Sequence, residues 1–245
     1  LKKILAFIFL LSNSICAQKV HSHNDYVHKR PFWEAFETGA NSIEADVFLV
    51  DNQLFVAHDL KDVKPENTFT KLYLEPISKV LKNKKRQNLQ ILIDLKTPAE
   101  TTLDRLIEDL EKFPKLTRAH NRKKGKITFV ISGNRPKPDE YSKYPEYIFF
   151  DHQSLDDLAE APKEKIALVS FPFYKYSLWN GKTELPENDR KKLTDIIETV
   201  HKSELSVRFW ATPDTQLAWK TLSQLGVDFI NTDKPKDCVN FFYQK

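Results

Sequence analysis

The chain has 245 residues, 40% hydrophobic and 29% charged, a globular composition with enough material for one large core. Its 38 basic and 34 acidic residues leave a net charge of only +4. That balance excludes the one-sided basic excess of a nucleic-acid binder, so the runs 82–86 and 122–124 read as solvated turns.

In chain order, Lys2 and Lys3, the apolar run Ile4 to Leu11 and the small-residue stretch Ser12 to Ala17 have the grammar of a signal peptide. The apolar run is far shorter than the roughly 20 residues of a membrane span. Ile15 suits a lipoprotein signal at Cys16 poorly, so cleavage is expected after Ala17, with an uncleaved N-terminal anchor as the alternative. The expected organisation is a signal peptide over 1–17 and one domain over 18–245, exported to a periplasm or secreted. Cleavage would leave Cys238 as the single cysteine, with no internal disulfide.

Short apolar runs then alternate with helix-period segments. Strands are expected at 19–23, 42–50, 89–95, 127–132, 147–150, 166–171, 206–211 and 227–230, with an extra extended run at 54–58 after the turn Asp51-Asn52. Helices are expected from Pro31 to Thr38, Phe69 to Leu81 (with Leu72, Ile77, Val80 and Leu81 on one face), Glu100 to Lys112 and Pro138 to Lys143. Others follow at Ser154 to Glu160 with Ser154 as cap, at Glu187 to Lys202, from Pro213 to Gln224, and from Pro235 onward. Eight strand–helix units imply parallel pairing through helical crossovers. With only five glycines and no Gly-rich first turn, a (β/α)8 TIM barrel fits better than an open doubly wound sheet.

Barrel chemistry sits at the C-terminal ends of strands. There the chain places His21-Ser22-His23-Asn24-Asp25, Glu44-Ala45-Asp46, His58-Asp59 and Asp94-Leu95-Lys96. Glu44 and Asp46 point to one side of their strand, and two bare carboxylates in a barrel interior would repel each other. Adding Asp94 makes an oxygen-rich set suited to a divalent cation, Mg2+ or Ca2+. His58 and the histidines of the first strand titrate in the range useful for moving protons, and Lys96 could hold a phosphoryl oxygen. His21 and His23 are two apart and face one side of a regular strand; His23 lies nearer its end. No Gly-rich phosphate cradle, Gly-x-Ser-x-Gly elbow or paired Cys/His zinc pattern is present.

These residues resemble a known family. Residues 39–47 (GANSIEADV) with Val56-Ala57-His58-Asp59 are similar to the metal-binding core of the glycerophosphodiester phosphodiesterases and phosphatidylinositol phospholipase C-like barrels. Residues 207–212 and 226–235 are similar to the family's last two strands. His21 to Tyr26 with Pro31 resembles the branch of altered inheritance of mitochondria protein 6, and Ile93 to Thr97 resembles the sphingomyelinase D branch. The middle, about 115–176, matches only in strand rhythm.

The resemblance implies Glu44, Asp46 and Asp94 as metal ligands, His58 with His21 or His23 as the acid–base pair, and Trp210 at the pocket mouth. The family's His-Arg-Gly after the first strand is absent, leaving Asn24 or Arg30 to replace the phosphate-binding arginine. Asp94 stands where the family usually has Glu. The implied activity is metal-dependent hydrolysis of a glycerophosphodiester or phospholipid head-group diester. The alternatives are a sphingomyelinase D-like lyase and a non-catalytic barrel that binds a phosphorylated ligand or glycan. The partners implied are a small-molecule or lipid diester and peripheral contact with a membrane, and no nucleic acid.

Overall fold

The computed structural model describes residues 18–81, 88–118 and 126–243; the expected signal peptide and both basic runs lie outside them. The strands are β1 (Lys19–Ser22), β2 (Ser42–Val50), β3 (Gln53–Val56), β4 (Leu89–Leu95), β5 (Ile127–Gly133), β6 (Ile148–His152), β7 (Ile166–Pro172), β8 (Val207–Trp210) and β9 (Phe229–Thr232). Eight of them pair in parallel around a closed ring, β1-β9-β8-β7-β6-β5-β4-β2 and back to β1. The extra extended run is β3, which folds back antiparallel on β2 through Asp51 and Asn52, both at positive φ. Asn and Asp tolerate that left-handed conformation better than most residues, which is why this pair makes the turn.

Strand alternation sorts the residues into two layers. Ile43, Ala45 and Val47 of β2, with Ile91, Ile93 and Leu95 of β4, join the large apolar layer beneath the helices. The alternate residues point into the barrel, where a small separate cluster of Leu92, Val130, Leu168 and Phe229 forms an apolar plug. Further along the same inward rows come Glu44, Asp46, Asp94, Ser132, Ser170 and Arg208, a polar interior towards the C-terminal ends of the strands.

The crossover helices are α1 (Trp33–Thr38), α2 (Glu75–Val80), α3 (Ala99–Glu111), α4 (Pro114–Thr117), α5 (Glu187–Lys202), α6 (Gln216–Gln224) and α7 (Pro235–Tyr243). In α5 the buried residues Leu193, Ile196, Ile197 and Val200 keep one helical face. Three expectations are corrected. The segment 154–160 forms turns rather than a helix, because the Ser154 hydroxyl accepts the Asp156 amide at 3.0 Å and closes a local turn instead of capping. Helix α6 starts at Gln216 rather than Pro213, because the Thr215 hydroxyl caps the Ala218 amide. Residues Thr70–Leu74 form a π-turn before α2. A π-turn adds a residue to the helical repeat, so Tyr73 and Leu74 are buried there while Leu72 is only partly so. No helix among the described residues is long and apolar enough to cross a membrane.

Candidate functional site

Register carries the strand-end residues together. Asp46 is paired with Asp94 across β2–β4, Asp94 with Ser132 across β4–β5, and His21 with Asn231 across β1–β9. Around them opens a cavity of about 440 Å³ lined by His23, Asn24, Glu44, Asp46, His58, Asp94, Lys96, Ser132, Gly133, Asn134, Gln153 and Trp210. Eight of the ten residues singled out from the sequence thus border one space, all but His21 and Arg30. Among the described residues, Glu44, Asp46 and Asp94 each bring a carboxylate oxygen within 4.8 Å of the others.

This set fits a divalent cation. Glu44 directs Oε2 to His21 at 2.7 Å and to Arg208 at 2.8 Å, leaving Oε1 towards the cavity side, 3.8 Å from His23 Nε2. Asp46 receives the Tyr26 hydroxyl on Oδ2 at 2.8 Å, while its buried Oδ1 has no hydrogen-bond partner. A buried carboxylate oxygen without a donor is costly, and a cation held by hard oxygen ligands would relieve it. The Lys96 ammonium lies 3.1 Å from both Asp46 and Asp94, so it offsets part of the clustered charge. Burial raises the Asp94 carboxyl to about 6, Lys96 opposes the shift, and the charges of Asp46 and Glu44 add to it. For Glu44, burial pushes upward, yet the hydrogen bond from His21 and the charge of Arg208 prevail and hold it well below the usual carboxylate range.

The two first-strand histidines separate. His21 is fully buried and does not reach the cavity. Its Nδ1 lies 2.7 Å from Ser42 Oγ, which accepts the Gln90 amide and so has its own hydrogen to donate to the ring. His21 Nε2 lies 2.7 Å from Glu44 Oε2 and 2.5 Å from Arg208 Nη1. Burial first, and Arg208 next, lower its pKa to about 4 despite Glu44, so it is neutral. Of the two, it is His23 that lines the space, and it hydrogen-bonds through Nδ1 to Asp233 Oδ1 at 2.7 Å. Burial lowers the His23 pKa, but the Asp233 hydrogen bond and the charges of Glu44 and Asp233 outweigh it and raise the net value.

His58, beyond β3, is largely exposed at the cavity edge with Nδ1 3.4 Å from Asp59 Oδ2. Asn24, at φ 46°, has its side-chain amide 2.9 Å from the Tyr26 hydroxyl. Trp210 meets Tyr174 edge-to-face at 5.7 Å. Arg30 is the corrected candidate: its guanidinium reaches away from the cavity to Glu37 at 2.6 Å, because the chain after β1 turns outward before α1. Asp25 secures that outward turn, its carboxylate accepting the Phe32 amide at 2.5 Å and the Tyr73 hydroxyl at 3.0 Å.

Sequence reasoning missed Tyr26, Arg208 and Asp233 as contributors. Asp233 follows a strand end, a position that could have flagged it; the links of Arg208 to Glu44 and Tyr26 to Asp46 span 164 and 20 residues and had no local signal. Gly133 was also missed. It has φ +67°, and a Cβ there would meet Asp94 Oδ1 at 2.1 Å and Leu95 O at 2.6 Å. Gly133→Ala is therefore expected to cost about 2 kcal/mol and to displace the Asp94 carboxylate. Thermal melting together with Mn2+ or Ca2+ titration calorimetry checks both effects.

A family model described as an AIM6-like phosphodiesterase domain matches residues 10–89, and one described as the glycerophosphoryl diester phosphodiesterase family matches residues 206–236. These are the two ends that carried the resemblance in the sequence. The chain is 28% identical over 267 residues to an altered inheritance of mitochondria protein 6 homolog of Arthroderma benhamiae, covering 91% of this chain and 83% of that protein. It is 26% identical over 262 residues to altered inheritance of mitochondria protein 6 of Eremothecium gossypii, covering 88% and 67%. Among solved structures, a glycerophosphodiester phosphodiesterase from Parabacteroides distasonis superposes with a TM-score of 0.61 at 19% identity, over 93% of this chain and 97% of that one. A Ca2+-dependent phosphatidylinositol-specific phospholipase C from Streptomyces antibioticus gives 0.59 at 14%, over 90% and 95%. At those identities the structural likeness shows the TIM-barrel fold.

Proposed function

We propose that this chain is a metal-dependent phosphodiesterase acting on a glycerophosphodiester or phospholipid head-group diester. The observation that carries the reading is the convergence of three carboxylates, two histidines and a lysine on one cavity at the C-terminal mouth of the barrel. Glu44, Asp46 and Asp94 would hold Mg2+ or Ca2+, which would neutralise charge on the phosphoryl oxygens and ease deprotonation of the nucleophile.

The chain's own groups supply the proton transfers. Asp233 accepts Nδ1–H of His23, which leaves the Nε2 lone pair free to take the proton of an attacking hydroxyl, from water or from the substrate's own alcohol. As that oxygen bonds to phosphorus and the P–O bond to the leaving alcohol breaks, His58 protonates the departing oxygen. Lys96 contacts a non-bridging oxygen, and Asn24 and Trp210 complete the binding wall.

The test is turnover of bis-p-nitrophenyl phosphate and of a glycerophosphodiester panel followed by phosphorus NMR, with Mg2+, Ca2+ or chelator. Chelator-sensitive cleavage, lost by at least about a hundredfold in Glu44→Ala, is expected. Ligand binding with no chelator-sensitive turnover on any diester would favour the non-catalytic barrel.

Export through the segment 1–17 is part of the proposal, and cell fractionation checks it. Peripheral membrane contact is supported by exposed apolar side chains after the strand ends that form the mouth: Val27, Leu60, Tyr174 and Leu178, the last 89% exposed. Co-sedimentation with phospholipid vesicles that is unchanged in Tyr174→Ser/Leu178→Ser would argue against it.

A further inference from the structure

The arc of the cavity formed by β5 and β6 takes no part in the proton transfers, yet its hydrogen bonds are fully specified. Asp151 on β6 is completely buried inside the barrel, next to a register shift between Phe150 and Asp151 that breaks the regular β6–β7 pairing. Its Oδ2 accepts from Ser132 Oγ at 2.8 Å and Gln153 Nε2 at 3.2 Å. Ser170 Oγ lies 2.7 and 2.6 Å from its two oxygens, and Arg208 Nη2 is 3.6 Å from Oδ2. Gln153 Nε2 also donates to Ser132 Oγ at 3.1 Å.

Donor counting then settles what this arc offers a ligand. Asp151 Oδ2 and Ser132 Oγ are only 2.8 Å apart. That is too close for the two hydrogens of one amide, which diverge by about 120°, so a single N–H of Gln153 is shared between them. A carboxylate oxygen can only accept, so the Gln153 amide cannot be flipped without setting oxygen against oxygen. The single hydroxyl hydrogen of Ser132 is given to Asp151. Both Ser132 and Gln153 line the cavity; Ser132 has no hydrogen left to donate, whereas Gln153 keeps its second N–H. What remains there is one N–H and Oε1 of a Gln153 amide held in a fixed orientation, in a cavity whose neighbouring arc carries Lys96, His23 and His58.

We infer that Gln153, held by Asp151 and Ser132, is a specificity-determining residue that reads hydroxyl groups on the alcohol portion of the substrate. The inference rests on the phosphodiesterase reading for the place of the phosphoryl group, and adds which side of the diester faces β5 and β6. A hydroxyl both donates and accepts, so an uncharged alcohol bearing free hydroxyls can match Oε1 and the remaining N–H of Gln153 together. A second phosphate or a carboxylate at that point can only accept and would leave Oε1 without a donor, which disfavours anionic head groups.

The test is binding, which needs no turnover. Calorimetry in Mg2+ or Ca2+ compares sn-glycerol 3-phosphate, which carries hydroxyls, with phenyl phosphate, which carries none, on the wild-type chain and on Gln153→Met. The expected result is a loss of about five- to tenfold for glycerol 3-phosphate, the scale of one hydrogen bond, with phenyl phosphate unchanged. Gln153→Asn keeps an amide but withdraws it by one methylene, and the same selective loss is expected. Thermal melting of each variant establishes that it is folded. An equal change for both ligands, no change for either, or no binding of either to the wild-type chain would overturn the inference. A selective loss without diesterase turnover would overturn the phosphodiesterase reading and leave the role of Gln153 standing.

Discussion

Replacing His23 by alanine is expected to lower kcat on a phosphodiester by about a thousandfold, the scale of losing one positioned proton acceptor. The physical basis is the direction of its ring: Nδ1 is tied to Asp233 at 2.7 Å and Nε2 lies on the Glu44 side of the cavity, 3.8 Å from Oε1. Asp233→Asn keeps a side chain of the same size but removes the charge that holds the tautomer, so a smaller loss of about ten- to a hundredfold is expected. His58→Ala is expected to spare substrates with good leaving groups such as p-nitrophenolate, because those depart without a proton, and to penalise alkyl diesters heavily. Steady-state rates on the two substrate types check the set. Equal losses on both types in His58→Ala would remove it as the acid, and wild-type rates in His23→Ala would remove the base.

The largest stability effect is expected at Arg208. Its Nη1 contacts His21 Nε2 at 2.5 Å, Glu44 Oε2 at 2.8 Å and Asn231 Oδ1 at 3.3 Å, and its Nη2 faces Asp151. Glu44 and Asp151 are both buried, so Arg208→Met strands two carboxylates inside the barrel. Breaking a buried charge pair from one side costs about 3–5 kcal/mol. For a chain of this size that lowers Tm by roughly 10 °C. Calorimetric melting checks it. A fall of only one or two degrees would mean that Glu44 and Asp151 are satisfied without the guanidinium. Arg208→Lys is expected to recover part of the loss, since it restores the charge but not the fork that reaches several acceptors at once.

Much of the site was legible because strand chemistry is periodic. The spacing of Glu44 and Asp46 places both on one side of a strand, and the alternation of Ile43, Ala45 and Val47 identifies the other side as core-facing. Asp94 was legible for the same reason, as an inward position near the end of an apolar run. The interval between His21 and His23 could not tell which one meets the cavity. That depends on where the parallel pairing of β1 stops, and it stops at Ser22, leaving His23 beyond the last ladder residue. Arg30 was misplaced because it is near His23 in sequence, while the turn anchored by Asp25 sends it outward.

By itself the sequence determined the layering: which residues lie on strands, which face the helices, and which polar groups stand at strand ends. Those properties repeat over two to four residues and need no knowledge of a partner. Only the tertiary structure decided which polar groups share a bond. Register set Asp46 beside Asp94, and barrel closure brought β8 and β9 against β1. Arg208 and Asp233 thereby reach Glu44 and His23 across 164 and 210 residues, which no local pattern encodes.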